Sequence, residues 1–201
     1  ATLTSLLAAL LMLTQRGLKR LLVLSTVEDI GFLLLGVASA NVIGTEGAII
    51  AAATHALAKA LLFISLAAPE ADGALATEPV ALAARYPVSA FGFLFGMLAM
   101  LGVPPTLGFL SRWRLYSAAF EIGACPLAIF IVSSILALIA YTLALTGYWW
   151  GPPPKPEIDP PSQAEPREPF AIKAVIVLVV AILLVGGIWP NAWQMLMGVR
   201  P

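Results

Sequence analysis

Lys59 and His55 are the residues best placed to do chemistry, because both lie deep inside an apolar segment. Residues 47–68 are almost entirely apolar and long enough to cross a bilayer as a helix at about 1.5 Å per residue. Lys59 is far from both ends of this segment, so its ammonium cannot easily reach the headgroups. His55 precedes it by one helical turn and shares its face. Ionisable groups at such a depth are costly and mark ion pathways, so we predict that both residues line one.

Two adjacent carboxylates, Glu28 and Asp29, occur inside another apolar segment, residues 21–40. Glu28 is nine residues beyond Lys19, or roughly 13 Å along a helix, and should therefore lie within the hydrocarbon. Neighbouring helical residues point about 100° apart, so one carboxylate would face a polar interior while the other caps a backbone or contacts a second helix. The alternative is a purely structural hydrogen-bonding pair.

A third feature lies at the end of the apolar residues 88–103. Two glycines and two prolines cluster there within seven residues: Gly102, Pro104, Pro105 and Gly108. Prolines remove backbone donors and glycines permit non-helical dihedral angles, so we predict that a helix breaks here. Broken helices at membrane depth must line a cavity or be buried in protein, and transporters often place ion sites there. Arg112 puts a permanent cation just beyond the break. The alternative is a hairpin of two short spans with its arginines at the headgroups.

Composition fixes the class of protein. Hydrophobic residues make up 60% of the chain and charged residues 11%, with a formal net charge of zero. These values indicate an integral membrane protein and no nucleic-acid partner. The single cysteine, Cys125, and single histidine argue against a disulfide or a metal site. No nucleotide-binding or redox-cofactor motif is present, so we expect no cofactor.

The elements that carry these residues are predicted to be six spans of an all-α membrane protein, one of them broken at 102–108. The first apolar segment, residues 3–13, is too short to cross and is interpreted as the end of a truncated helix. The others cover residues 21–40, 47–68, 88–120, 126–148 and 170–189. A polar loop at 69–87 should contain a surface helix near 79–85. An aromatic cluster at 148–150 should mark the interface, and residues 151–169, with eight prolines, should form an exposed loop.

Basic residues distinguish the two sides of the membrane and favour the broken helix over the hairpin. With six crossings, one side carries Arg16, Lys19, Arg20, Arg85, Lys155, Arg167 and Lys173, and the other carries Arg200. The positive-inside rule then makes the first side cytoplasmic, whereas a hairpin would split these residues between the two sides.

The sequence resembles the antiporter-like subunits, which form the proton-transporting membrane arm of respiratory complex I, the membrane subunits of energy-converting hydrogenases, and the large subunits of multisubunit Na+/H+ antiporters. The similarity covers about residues 5–120. It rests on residues 15–22 (QRGLKRLL), 25–32 (STVEDIGF), 54–55 (TH), 59–63 (KALLF), 102–105 (GVPP), 108–109 (GF) and 111–112 (SR).

This resemblance implies a protein of about fourteen helices in two inverted repeats, of which this chain would be the second repeat plus the final helix. The bundle would occupy residues 1–150, the Pro-rich loop 151–169, and the final helix and tail 170–201. Lys59 and His55 would belong to a central hydrophilic axis. Arg112 stands where the family carries a lysine or glutamate as the exit-side relay, and an arginine cannot release a proton.

We therefore expect a subunit that moves protons, or alternatively Na+, across the inner membrane as part of a complex I-like quinone oxidoreductase or a related hydrogenase. Lys59 would be the relay, His55 its link to water, and Glu28 or Asp29 would set its charge state. Arg112 would be a fixed cation that repels or gates protons. Other membrane subunits would be partners and would hold any redox centre. The alternatives are a non-conducting structural subunit and part of a multisubunit cation/proton antiporter.

Overall fold

The computed structural model describes residues 1–75, 81–151 and 168–189, and the secondary structure in these ranges is helical. In chain order the helices are α1 (Thr2–Leu13), α2 (Leu18–Ala38), α3 (Val42–Ala71), α4 (Leu82–Arg85), α5 (Pro87–Leu101), α6 (Leu107–Ile122), α7 (Ala124–Ala144) and α8 (Phe170–Ile188). A π-helical turn, Leu145–Trp149, extends α7.

Four of these helices are long and apolar enough to cross a membrane: Leu18–Ala38, Val42–Ala71, Ala124–Trp149 and Phe170–Ile188. The short apolar α1 and the α5–α6 pair supply the remaining two of the predicted spans. The predicted fold class, an all-α membrane protein with about six spans, is confirmed.

The helix carrying Lys59 is longer than its apolar segment. At its start, the Asn41 side chain accepts a hydrogen bond from the Gly44 backbone N–H at 2.7 Å, a cap with which the helix begins at Val42, ahead of the apolar segment that starts at residue 47. At its end, α3 continues through Pro69 to Ala71. The prediction that a loop begins at residue 69 was therefore wrong, because the helix runs for about one more turn. Pro69 has no backbone N–H, so the last turn of α3 lacks one i→i−4 hydrogen bond.

The predicted break lies between α5 and α6. Gly102 ends α5 in the left-handed conformation, with φ +71°, and α6 begins at Leu107. Gly92 and Gly96 of α5 pack against Ser65 and Leu62 of α3, whereas Arg114 of α6 packs against Gly47, much earlier in α3. The two half-helices therefore run one after the other along α3 as a single crossing, and the hairpin alternative is rejected.

One end of the bundle, here called the basic end, gathers the α1–α2 turn, the end of α3 and the segments beside α7 and α8. Lys19 pairs with Glu70, and the Tyr148 hydroxyl donates to the Arg16 carbonyl. Glu168 accepts a hydrogen bond from the Ser89 backbone N–H at 2.8 Å and so caps α5 at the same end. Asn41 and Glu121 meet at the opposite end, with an Nδ2–Oε2 distance of 2.5 Å.

Only part of the aromatic cluster predicted for the membrane interface is exposed at the surface. Trp149 is fully buried, and its ring centroid lies 5.4 Å from that of Phe93, so it belongs to the core. Trp150 is exposed. Of the surface helix predicted near 79–85, residues 82–85 form α4. Residues 76–80, 152–167 and 190–201, which include most of the predicted Pro-rich loop together with Lys155, Arg167 and Arg200, lie outside the described ranges.

Candidate functional site

The five polar residues singled out by the sequence meet inside the bundle. Helices α2 and α3 are antiparallel neighbours joined by a short turn, so Asp29 comes opposite His55, and the turn before Asp29 comes opposite Lys59. Helix α6 adds Arg112 from the far side of the break. Glu28, Asp29, Lys59 and Arg112 are all buried, with at most 7% of each residue's surface exposed, and His55 is partly exposed.

Asp29 is the centre of an ionic cluster. Its Oδ1 accepts a hydrogen bond from Arg112 Nη2 at 2.7 Å, and its Oδ2 lies 2.7 Å from His55 Nδ1. Glu28 faces the same guanidinium, although its Oε2 is 3.5 Å from Nη2. Both carboxylates therefore contact α6, where the sequence had predicted different directions for the two. A long arginine reaching from a neighbouring helix can span the angle between adjacent residues.

Arg112 also joins the two half-helices. Its Nε and Nη2 donate to the Met100 carbonyl at 3.2 and 3.0 Å, and its guanidinium lies 3.8 Å from the ring centroid of Phe32. Met100 is in the last turn of α5, where carbonyls lose their helical partners. The guanidinium thus closes the end of α5 and binds α2 at the same time, with Nη2 donating to both the Met100 carbonyl and Asp29 and Nε adding a second bond to Met100.

Lys59 has different surroundings. Its Nζ donates to the Leu22 carbonyl at 2.5 Å and to the Ser25 hydroxyl. The Tyr141 hydroxyl of α7 donates to Ser25 Oγ at 2.8 Å, and that oxygen also lies 2.9 Å from the Leu22 carbonyl. Within the described ranges, every direct hydrogen-bond partner of the Lys59 ammonium is thus a neutral oxygen.

Two buried atoms in the ionic cluster have no hydrogen-bond partner within residues 1–75, 81–151 and 168–189: Glu28 Oε1, an acceptor, and Arg112 Nη1, a donor. Buried polar atoms of opposite hydrogen-bonding character on adjacent groups are suited to an ordered water. The same ranges contain no group of three or more His, Cys, Asp or Glu side chains arranged for a metal ion.

Sequence reasoning missed Ser25, Tyr141, Phe32 and the Met100 carbonyl. A signal for Ser25 existed, because it is the residue one helical turn before Asp29, on the same face of an apolar helix. Tyr141 is 116 residues away from Ser25 and gives no local signal. A backbone carbonyl such as that of Met100 is never visible in sequence.

The comparisons with known proteins agree with this architecture. The family described as NADH:quinone oxidoreductase/Mrp antiporter, TM, matches residues 1–138. NADH-quinone oxidoreductase subunit N of Desulforudis audaxviator is 33% identical over 136 residues, 66% of this chain and 27% of that protein. Hydrogenase-4 component B of Escherichia coli K12 is 33% identical over 159 residues, 72% of this chain and 23% of that protein.

Among solved structures, a chain of the Mrp complex from Dietzia sp. superposes with a TM-score of 0.86 at 24% identity, covering 98% of this chain and 45% of that one. At this identity the similarity establishes the fold. The chain spans about a quarter of the length of the two curated relatives above. Since the family match covers more than half of its residues, the chain belongs to the NADH:quinone oxidoreductase/Mrp antiporter transmembrane family.

Proposed function

We propose that this chain is part of a membrane-arm subunit that translocates protons, with Na+ as the alternative ion, in a complex I-like quinone oxidoreductase or a related hydrogenase complex. The observation that carries the proposal is the environment of Lys59, a lysine buried in the middle of α3 whose direct partners are neutral oxygens. A buried lysine paired directly with a carboxylate is held in its charged form. One held by a hydroxyl and a carbonyl can exist in either form.

The Ser25 hydroxyl supports both forms. Beside an ammonium it accepts from Nζ while donating to the Leu22 carbonyl. Beside a neutral amine it can rotate and donate to the nitrogen lone pair, because a hydroxyl both donates and accepts. The Tyr141 hydroxyl, which donates to Ser25, stabilises either orientation. When Lys59 loses its proton, Ser25, Tyr141 and the Leu22 carbonyl can therefore each keep a hydrogen-bond partner.

The ionic cluster supplies the field around this lysine. Glu28 and Asp29 balance the formal charges of Arg112 and Lys59, and Arg112 is a fixed cation beside the break at Gly102, Pro104, Pro105 and Gly108. His55, partly exposed and bonded to Asp29, links the cluster to water.

A non-conducting structural subunit is the second candidate. It is favoured by Arg112, which cannot carry a proton and is held by two carboxylates and a carbonyl, so this part of the axis works equally well as a packing network. A third candidate is part of a multisubunit cation/proton antiporter.

The domain boundaries, the membrane location and the partner subunits are inferred from the family. We infer that residues 1–150 form the second inverted repeat, that 151–169 connect it to the final helix, and that the parent protein is a multi-pass protein of the bacterial inner membrane. Other membrane subunits pack against it, and any redox centre belongs to those partners.

The test uses the intact parent complex in sealed membrane vesicles. Lys59→Ala should remove proton transfer through this subunit while the complex still assembles, so acidification per electron transferred falls. Lys173→Ala is the matched control, because Lys173 is exposed in the first turn of α8. A structural subunit requires normal acidification in both variants. If Na+ uptake into the vesicles accompanies electron transfer and survives a protonophore, the transported ion is Na+.

A further inference from the structure

We propose that the turn between α1 and α2 binds the headgroup of an anionic phospholipid, with one acyl chain lying along the outer surface of these two helices. The site is at the basic end of the bundle and does not depend on the proposed proton transfer.

A cavity of about 480 Å³ at this turn is lined by Arg16, Gly17, Lys19 and Arg20, with Glu70 and Tyr148 facing them. Three cations against one carboxylate leave a net charge of +2. All three basic side chains are exposed at the end of membrane-crossing helices, which is where phosphates of lipid headgroups lie.

The ion pair that crosses the cavity does not close it. Lys19 and Glu70 have side chains 55% and 50% exposed, and an ion pair at that exposure contributes little to stability. Lys19 can therefore turn from the carboxylate to a phosphate at small cost.

An apolar groove of about 400 Å³ continues from the cavity. Leu11, Gln15, Val23 and Leu24 line it, and Lys19 and Arg20 are shared with the cavity. Leu11 and Val23 are 50% and 57% exposed on the side of α1 and α2 that faces away from the other described helices. A ligand that fills both spaces has an anionic head and an aliphatic tail. Free phosphate would leave the groove empty, and an apolar protein helix would not need the three cations.

The side of the membrane agrees with this ligand. The basic end is cytoplasmic by the positive-inside rule, and anionic lipids in that leaflet attract juxtamembrane Lys and Arg. We therefore assign the site to a bilayer phospholipid of the phosphatidylglycerol class.

The experiment reconstitutes the intact parent complex in nanodiscs with a photoreactive phosphatidylglycerol, and mass spectrometry counts its cross-links to α1 and α2. Arg16→Gln with Arg20→Gln should weaken cross-linking about 25-fold, from roughly fivefold per basic residue. Lys173→Gln, which removes an exposed charge from the basic end without touching the cavity, should leave cross-linking unchanged.

Two further arms keep the proposal falsifiable if the double variant does not assemble. Val23→Trp fills the groove and leaves every cation in place, so it should also reduce cross-linking. A photoreactive phosphatidylcholine should cross-link far less than phosphatidylglycerol. Equal cross-linking by the two lipids, equal loss in Lys173→Gln, no effect of Val23→Trp, or no cross-linking in the parent complex would each overturn the proposal.

Discussion

Two buried cations with opposite kinds of partner define the interior of this protein. Arg112 contacts two carboxylates and the carbonyl at the end of α5, whereas Lys59 contacts a hydroxyl and a carbonyl. Removing a carboxylate partner of Arg112 leaves a buried charge without its counter-charge. Removing the Ser25 partner of Lys59 removes only a hydrogen bond to an uncharged oxygen. The two residues should therefore differ in what their variants damage, stability in one case and proton transfer in the other.

Ser25→Ala tests the hydroxyl beside Lys59. We expect proton translocation to fall at least tenfold, since the rotating hydroxyl is lost, with a stability cost of about 1–3 kcal/mol. Ser65→Ala is the matched control, because Ser65 is equally buried and, among the residues that the structure describes, its hydroxyl bonds only the Leu61 carbonyl of its own helix. Proton flux per electron and complex melting temperature are the measurements. Equal flux in the two variants would contradict a role for Ser25.

Arg112→Ala should destabilise the complex by about 3–5 kcal/mol, because two buried carboxylates lose their counter-charge. Adding Asp29→Asn should recover part of the loss by neutralising one of them. Arg112→Lys should fall between, since it keeps the charge but lacks the planar fork with which Nε and Nη2 bond the Met100 carbonyl together. Thermal unfolding of the purified complex measures all three. An unchanged melting temperature in Arg112→Ala would make the ionic cluster energetically irrelevant.

The ionisable members of the site could be predicted from sequence because each is a charge inside an apolar segment, which is costly enough to need a reason. Their pairing could not be predicted. Asp29 and Arg112 are 83 residues apart, and nothing local indicates that both α2 carboxylates turn to α6. Ser25 and Tyr141 are ordinary residues in membrane helices and acquire meaning only once Lys59 lies beside them.

Among the helices, α8 explains how the break is held. A Cβ added at Gly187 would lie 2.5 Å from the Thr106 carbonyl carbon and 2.7 Å from that of Pro105, so α8 touches the backbone of the break directly. Thr106, at the α6 side of the break, is buried, whereas Pro104 and Pro105 remain exposed, so α8 covers one side of the break.

Gly187→Ala should therefore push α8 away from the break and destabilise the complex by about 1–3 kcal/mol, as overpacking does. Gly147→Ala is the control, because a Cβ there meets no atom within 4 Å in the described structure. Assembly yield and melting temperature distinguish the two. Equal behaviour of both variants would mean that α8 does not support the break.

Sequence located the break but left its topology open, because two prolines end a helix in the same way in a hairpin and in one crossing. The distribution of basic residues favoured one crossing, and the order of contacts along α3 confirms it. Helix ends were less predictable: α3 is about one turn longer at each end than its apolar segment, beginning after the Asn41 cap and continuing past Pro69 to Ala71.

For the chain as a whole, the arrangement of ends gives a direct topological prediction. Cys125 is exposed at the start of α7, at the end of the bundle where Asn41 meets Glu121. In a parent protein with no other cysteine, a membrane-impermeant thiol reagent should label Cys125 from the periplasmic side only. Thr14→Cys combined with Cys125→Ser should label from the cytoplasmic side. Labelling of both from one side would reject six crossings.

The central claim is that Lys59 relays protons and does not merely place a charge in the bundle. Lys59→Arg separates these roles, because arginine keeps the charge but cannot release a proton. The decisive measurement is the number of protons translocated per electron transferred by the intact complex carrying this variant. We predict a lower ratio than in the parent, with assembly retained. An unchanged ratio would contradict the relay and leave Lys59 a structural cation.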